Sequence, residues 1–238
     1  METSFERNKR AIIRDGLIAG MPIVVGYLPI AIAYGVLAKQ SGLTLMELTG
    51  MSLLVYAGAA QFMGAGMIGL GTGAIEIIIA TFVLNFRHFV MSLSLMNRIR
   101  IFDKKWKLPL AMGLTDETFS VASIYGKQFN NKNGQYFYLT MMLSAYLSWV
   151  LGSLLGGLLG DVIPHSLSQS MGVALYAMFI GLLVPSIRKE TKIVIIAVIA
   201  MVSNFIATPY LGQGWSIVLG TIVGAIAGVF VLREEGQA

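Results

Sequence analysis

Cysteine is absent from the 238 residues, histidine occurs only twice, and charged residues make up 12% of the chain. Each shortage excludes something. Without cysteine there is no disulfide framework and no thiolate-ligated metal site. With so few charges the chain cannot cover a water-facing surface, for which a soluble domain uses roughly 25% charged residues. Long polar intervals are missing as well. The widest, around 97–107 and 127–135, run to about ten residues, so no soluble domain fits between the apolar runs. The reading is a single transmembrane domain over 1–238, with a short cytoplasmic amino-terminal segment at about 1–15. No P-loop, HExxH pair or GxSxG elbow occurs. No enzyme, cofactor or metal is therefore expected, and active transport must draw on an ion gradient or a separate energising subunit.

What is present is apolar: 56% hydrophobic residues with 27 glycines and 14 methionines, and a mean hydropathy of +0.75. A membrane helix needs about 20 mostly apolar residues. Eight stretches meet or approach this, at about 16–38, 45–69, 72–96, 108–126, 136–160, 167–186, 191–209 and 214–232. The expected fold class is an all-α polytopic membrane protein with about seven or eight transmembrane segments. The first run is too long for a signal-peptide core and no Ala-x-Ala site follows, so it reads as a retained helix.

The net charge of +5 raises the question of nucleic acid. The basic residues lie between apolar runs, which marks membrane loops and not a nucleic-acid surface. If all eight stretches cross, ten basic residues share the amino-terminal side against six on the other, which makes the amino terminus cytoplasmic but leaves the dense basic loop at 97–107 outside. If the second or third stretch is re-entrant, that loop moves inside and seven crossings remain. Both arrangements fit the sequence. Trp106, Trp149, Trp215, Tyr136, Tyr138 and Tyr210 read as anchors at the headgroup level.

Two stretches are built for more than spanning. The first holds Pro22, Gly26 and Pro29, and proline removes a backbone donor, so a discontinuous helix over 16–38 is one expectation and a Pro-kinked packing helix the other. The second ends in Gly58, Ala59, Ala60 and Gln61 followed by a dense glycine series, which predicts a discontinuous or re-entrant segment over 58–73. There Gln61 either lines a cavity or bonds two helices together. Glycines at 152, 156 and 160, and at 220, 224 and 228, recur every four residues and predict close helix packing.

Ionisable groups inside a membrane cost roughly 2.5–3.5 kcal/mol each on insertion scales. The embedded set is Glu76, Arg87, His88, Asp116 and Glu117, with Asn85 and Asn204. Arg87 needs an acceptor, which Asp116 or Glu117 in the next stretch would supply. That pair is either structural or the place where a carboxylate changes protonation during transport. His88 titrates near neutral pH when unperturbed.

The broken first stretch, Ala57-Gly58-Ala59-Ala60-Gln61-Phe62, Asn85-Phe86-Arg87-His88 and Leu114-Thr115-Asp116-Glu117-Thr118-Phe119, in this order and spacing, resemble the AzlC family of branched-chain amino-acid permease large subunits. The resemblance covers roughly residues 10–230. It implies a multi-pass transporter of the bacterial inner membrane that works with a small AzlD-type membrane subunit, exports leucine, isoleucine, valine and sometimes methionine, and is driven by protons. On that reading Pro22, Gly26, Pro29, Gly58, Gln61 and Asn85 are candidate substrate-binding residues. Arg87, His88, Asp116, Glu117 and Glu76 are the ion-coupling candidates. The alternative is a membrane scaffold or assembly subunit whose buried polar residues are structural.

Overall fold

The computed structural model describes residues 9–126, 128–129, 133–164, eight positions between 173 and 188, and 190–232. The expected stretch at 167–186 lies mostly outside the described residues. Among those described the chain is helical throughout: α1 (Lys9–Gln40), α2 (Leu45–Leu54), α3 (Gly58–Gly69), α4 (Ala74–Arg98), α5 (Lys104–Met112), α6 (Asp116–Tyr125) and α7 (Gly134–Leu159). A last helical run, Lys192–Leu232, breaks at Gly212, whose φ of 77° suits glycine. It divides into α8 (Lys192–Gly212) and α9 (Gly214–Leu232).

α1 and α7 form the spine. Glycines set their separation: Gly16 lies against Phe137, Gly20 against Met141 and Ser144, Gly152 against Leu28 and Ala31, and Gly156 against Ile32. Residue numbers rise together along both helices, so α1 and α7 run parallel. A Cβ at Gly156 would clash with the Ile32 carbonyl oxygen, so glycine is what allows the backbones to touch.

The expected interruption over 16–38 is not found; α1 is one continuous helix of 32 residues, about 48 Å long at 1.5 Å per residue. Pro22 and Pro29 lie almost two turns apart on the exposed side, with Gly26 between them. The opposite side is held to α7 along its length. That packing keeps the helix intact where the prolines remove two backbone bonds.

The second stretch, by contrast, turns back. α2 descends along α7, with Leu45 and Leu48 beside Gly157, Ser52 bonded to Ser153, and Gly58 reaching Trp149. α3 then climbs again, stacking Phe62 edge-on to Tyr34 and ending with Gly69 against Ser41. α2 and α3 are therefore a re-entrant hairpin that enters and leaves by the face where α1 ends. Its tip is not among the glycines at 64–73 but at Val55–Ala57, where Tyr56 adopts a left-handed φ of 43°.

The fourth stretch, expected as one helix, is a second hairpin of opposite sense. α5 starts where Trp106 meets Tyr136 of α7 and rises to Gly113 against Met142. α6 returns, with Phe119 under the Arg98 guanidinium and Tyr125 against Phe137. Its tip is Gly113–Thr115. The class is the expected all-α membrane fold, but the second and fourth stretches do not cross. Five described helices are long and apolar enough to do so: α1, α4, α7, α8 and α9.

The hairpins also resolve the charge pattern. Lys9, Arg10 and Arg14, the loop residues Arg98, Arg100, Lys104, Lys105 and Lys107, and Lys192 at the start of α8 all gather on the face where α1 begins. The opposite face carries Lys39, ion-paired with Asp161 at 3.5 Å, together with Glu47 and Glu76. α8 and α9 pack antiparallel through Gly220, Gly224 and Gly228 against Ala200, Asn204 and Ile196. The last glycine series thus finds its partner within the chain. This pair is fastened to α4 by Glu76, whose carboxylate accepts the N–H groups of Gly214 at 2.9 Å and Trp215 at 3.3 Å.

Candidate functional site

The two hairpin tips meet in the middle of the membrane. Between them lies a cavity lined by Tyr27 of α1, Tyr56, Ala57, Gly58 and Ala59 of the first hairpin, Arg87 and His88 of α4, Thr115, Asp116 and Glu117 of the second hairpin, and Trp149 of α7. Its volume is about 20 Å³, which holds one water and no amino acid.

Backbone geometry puts the acids there. Thr115, in extended conformation, caps α6: its hydroxyl accepts the Thr118 N–H, and the Thr118 hydroxyl takes the Thr115 N–H at 2.8 Å. This capping box places Asp116 and Glu117 in the first helical turn, where the helix dipole favours negative charge. The two acids then diverge. Asp116 Oδ2 is ion-paired with Arg87 Nη1 at 2.7 Å. Glu117 Oε2 accepts the Tyr27 hydroxyl at 2.5 Å. Since the phenol's one proton goes to Glu117, the Thr115 hydroxyl is the donor in its 2.6 Å bond to Tyr27.

The first hairpin is held by a ring of four bonds. Trp149 Nε1 donates to Gln61 Oε1 at 2.9 Å, Gln61 Nε2 to Ser52 Oγ at 2.9 Å, Ser52 to Ser153 at 2.7 Å, and Ser153 to the Trp149 carbonyl at 2.7 Å. Both limbs of the hairpin are thereby tied to α7. Tyr146 closes the end of α2 by donating to the Leu53 carbonyl at 2.9 Å. The second hairpin has no such ring; at its tip it is held by the Arg87 ion pair and the Tyr27 phenol.

Of the candidates named from sequence, Gly58, Arg87, His88, Asp116 and Glu117 line the cavity. Gln61 is fully buried behind it as glue between hairpin and spine. Asn85 offers its backbone carbonyl to His88 Nδ1 at 3.2 Å, while its own side-chain Oδ1 is buried without a partner. Pro22, Gly26 and Pro29 sit on the outer side of α1, away from the cavity. Glu76 lies at the membrane face, on the start of α9. Trp149 is no interfacial anchor; it is buried midway along α7, where its indole packs edge-on to Tyr27 at 5.4 Å.

No motif in the sequence points to Tyr27 or Tyr56, and Trp149 reads there only as an anchor. Each is an aromatic with a polar tip inside an apolar run, and such tips usually find a partner when buried.

Paired re-entrant hairpins that bring backbone ends and ionisable groups to the membrane midplane define a polytopic helical protein with a membrane transport role. The chain belongs to the AzlC family, whose description, AzlC protein, matches residues 22–163. It is 32% identical over 184 residues to an uncharacterized membrane protein of Archaeoglobus fulgidus, covering 76% of this chain and 78% of that one. It is 26% identical over 230 residues to the inner membrane protein YgaZ of Escherichia coli, covering 95% and 93%. To the branched-chain amino acid transport protein AzlC of Bacillus subtilis it is 28% identical over 189 residues, covering 78% and 73%. No solved structure matches. The chain is a multi-pass bacterial membrane protein.

Proposed function

We propose that this chain is the large subunit of a secondary transporter that exports branched-chain amino acids, namely leucine, isoleucine and valine, with methionine as a further cargo. On this reading it works with a small AzlD-type membrane subunit, is driven by protons, and leaves its substrate chemically unchanged. The observation that carries the proposal is the tip-to-tip meeting of two hairpins that enter from opposite faces around a small cavity lined by one guanidinium and two carboxylates. Such a cavity opens to one face or the other as one hairpin or the other moves, which is what alternating access requires.

Three further observations support it. The name of the Bacillus subtilis relative gives that protein a branched-chain cargo. An apolar cleft of about 380 Å³, lined among others by Val55, Met112, Leu139 and Met142, adjoins the cavity and shares Tyr56 with it; an aliphatic side chain suits it. The concentration of basic residues on the face where α1 begins makes that face cytoplasmic by the positive-inside rule.

Efflux from vesicles containing both subunits, scanned over amino acids under imposed pH gradients, tests the proposal. Loss of preloaded leucine or valine that accelerates when protons are driven inward is expected. Unchanged efflux with the two subunits stably assembled would favour the scaffold reading.

A further inference from the structure

We propose that the N-terminus of α3, with the Tyr56 hydroxyl and Arg87 Nε, is a carboxylate-binding subsite for the transported molecule. The inference rests on the transporter reading above, and names the part of the site that holds one end of the substrate.

The argument begins with helix ends. The first turn of any helix has N–H groups without intrahelical partners. α2 and α6 meet this need with capping boxes from Thr44 and Thr115. α4, α5 and α7 lack a side-chain cap, but they start at a membrane face, where water serves. α3 alone among the described hairpin helices starts at the midplane with no side-chain cap on its N-cap residue, Ala57. An unpaired N–H in a water-free membrane interior costs several kcal/mol.

An independent observation points the same way. Tyr56, only 6% exposed, lines the cavity, and its hydroxyl has no partner. Arg87 Nε is likewise buried without a partner, while its Nη1 engages Asp116. Open donors therefore line one cavity: the backbone N–H groups that start α3 at Gly58 and Ala59, a phenol and a guanidinium N–H. Its two carboxylates already accept from Arg87 and Tyr27. The α3 terminus has no side-chain acceptor and the Tyr56 hydroxyl has no partner, and a helix N-terminus favours an acceptor carrying negative charge.

The charge balance selects a carboxylate. Arg87, Asp116 and Glu117 together carry one net negative charge when all are ionised, which disfavours a dianionic phosphate. A carboxylate with an ammonium beside it fits, its anionic end on the α3 terminus and its cationic end facing Glu117. Gly58 keeps the approach open: its backbone lies flat against the Trp149 ring, and a Cβ there would come within 2.6 Å of Trp149 Cη2.

The test uses the intact protein in nanodiscs with Trp106 and Trp215 replaced by Phe, so that fluorescence reports on Trp149 beside the cavity. The probes are leucine, isoamylamine, which is leucine without its carboxylate, 4-methylpentanoate, which is leucine without its ammonium, and acetate. Tyr56→Phe removes the hydroxyl and keeps the ring. It is expected to weaken leucine, 4-methylpentanoate and acetate by about tenfold, the scale of one hydrogen bond to a charged group, and to leave isoamylamine unchanged. Equal weakening of all four probes, or failure of both acetate and 4-methylpentanoate to bind the parent, overturns the subsite. Failure of leucine alone, with acetate bound and sensitive to Tyr56→Phe, supports the subsite and counts against the branched-chain cargo.

Discussion

Asp116 and Glu117 are neighbours in one helical turn, yet they have unlike partners, and this divides their expected roles. Asp116 is ion-paired with a permanent cation, the Arg87 guanidinium. Glu117 faces a neutral phenol, which can bond either its charged or its protonated form after rotation of the hydroxyl. Glu117→Gln is therefore expected to flatten the pH dependence of efflux while protein folds normally. Asp116→Asn is expected to lower efflux at every pH and to destabilise the protein by up to about 3 kcal/mol, since it strands the Arg87 charge. Parallel pH profiles for parent and Glu117→Gln would count against this division. Behind the cavity, Gln61→Leu leaves the Trp149 N–H without its acceptor, and about 1–3 kcal/mol of stability should be lost. A melting temperature equal to the parent's would contradict the bonding ring described for the first hairpin.

At the scale of elements, the sequence showed where helices are interrupted more clearly than how. The small run Ala57–Ala60 and the motif from Leu114 to Phe119 both turned out to be helix starts at hairpin tips. The glycine density at 64–73 marked a real break, the turn between α3 and α4 where Gly71 has a φ of 70°, but it did not mark the hairpin's tip. The tip is made by Tyr56, a residue whose left-handed backbone no propensity scale would suggest. For the two prolines of α1 the packing-helix alternative is the one the structure shows. Propensity counted the bonds they remove, while the glycine face on α7 supplies the packing that keeps the helix whole. That packing is expected to be unforgiving. Gly156→Leu forces α1 and α7 apart and should abolish folded protein in size-exclusion chromatography, whereas Gly26→Leu, on the open side, should leave the elution profile unchanged.

For the whole molecule, counting apolar stretches overestimated the crossings, because a re-entrant hairpin of 25 residues has the composition of a span. Direction is invisible to composition; it emerges only from contacts such as Gly69 with Ser41 and Tyr125 with Phe137. The absence of native cysteine makes the resulting topology testable. Single cysteines at Ser41 and Thr72 should both react with an impermeant thiol reagent from outside the cell, and those at Ile101 and Gln128 only after access to the cytoplasm. Eight crossings would instead place Thr72 inside and Ile101 outside. The ionisable cluster was legible as a set of residues, and the Arg87 to Asp116 pairing was among the expected ones. The partner that sets Glu117 apart, Tyr27, comes from α1, which no local motif connects to it.

The bonding ring of the first hairpin also bears on how the protein is made. Ser52 and Gln61 are synthesised long before their partners; the bond from Ser52 to Ser153 joins residues 101 positions apart. At roughly 5–20 residues per second, the ribosome needs about 5–20 s to deliver α7 after α2 has emerged. Throughout that interval α1, through Tyr34 against Phe62 and the Leu48 carbonyl, is the wall already in place, and Ser52 and Gln61 lack their α7 partners. The bonding ring is therefore completed only when α7 arrives, so the hairpin takes its final form late in synthesis.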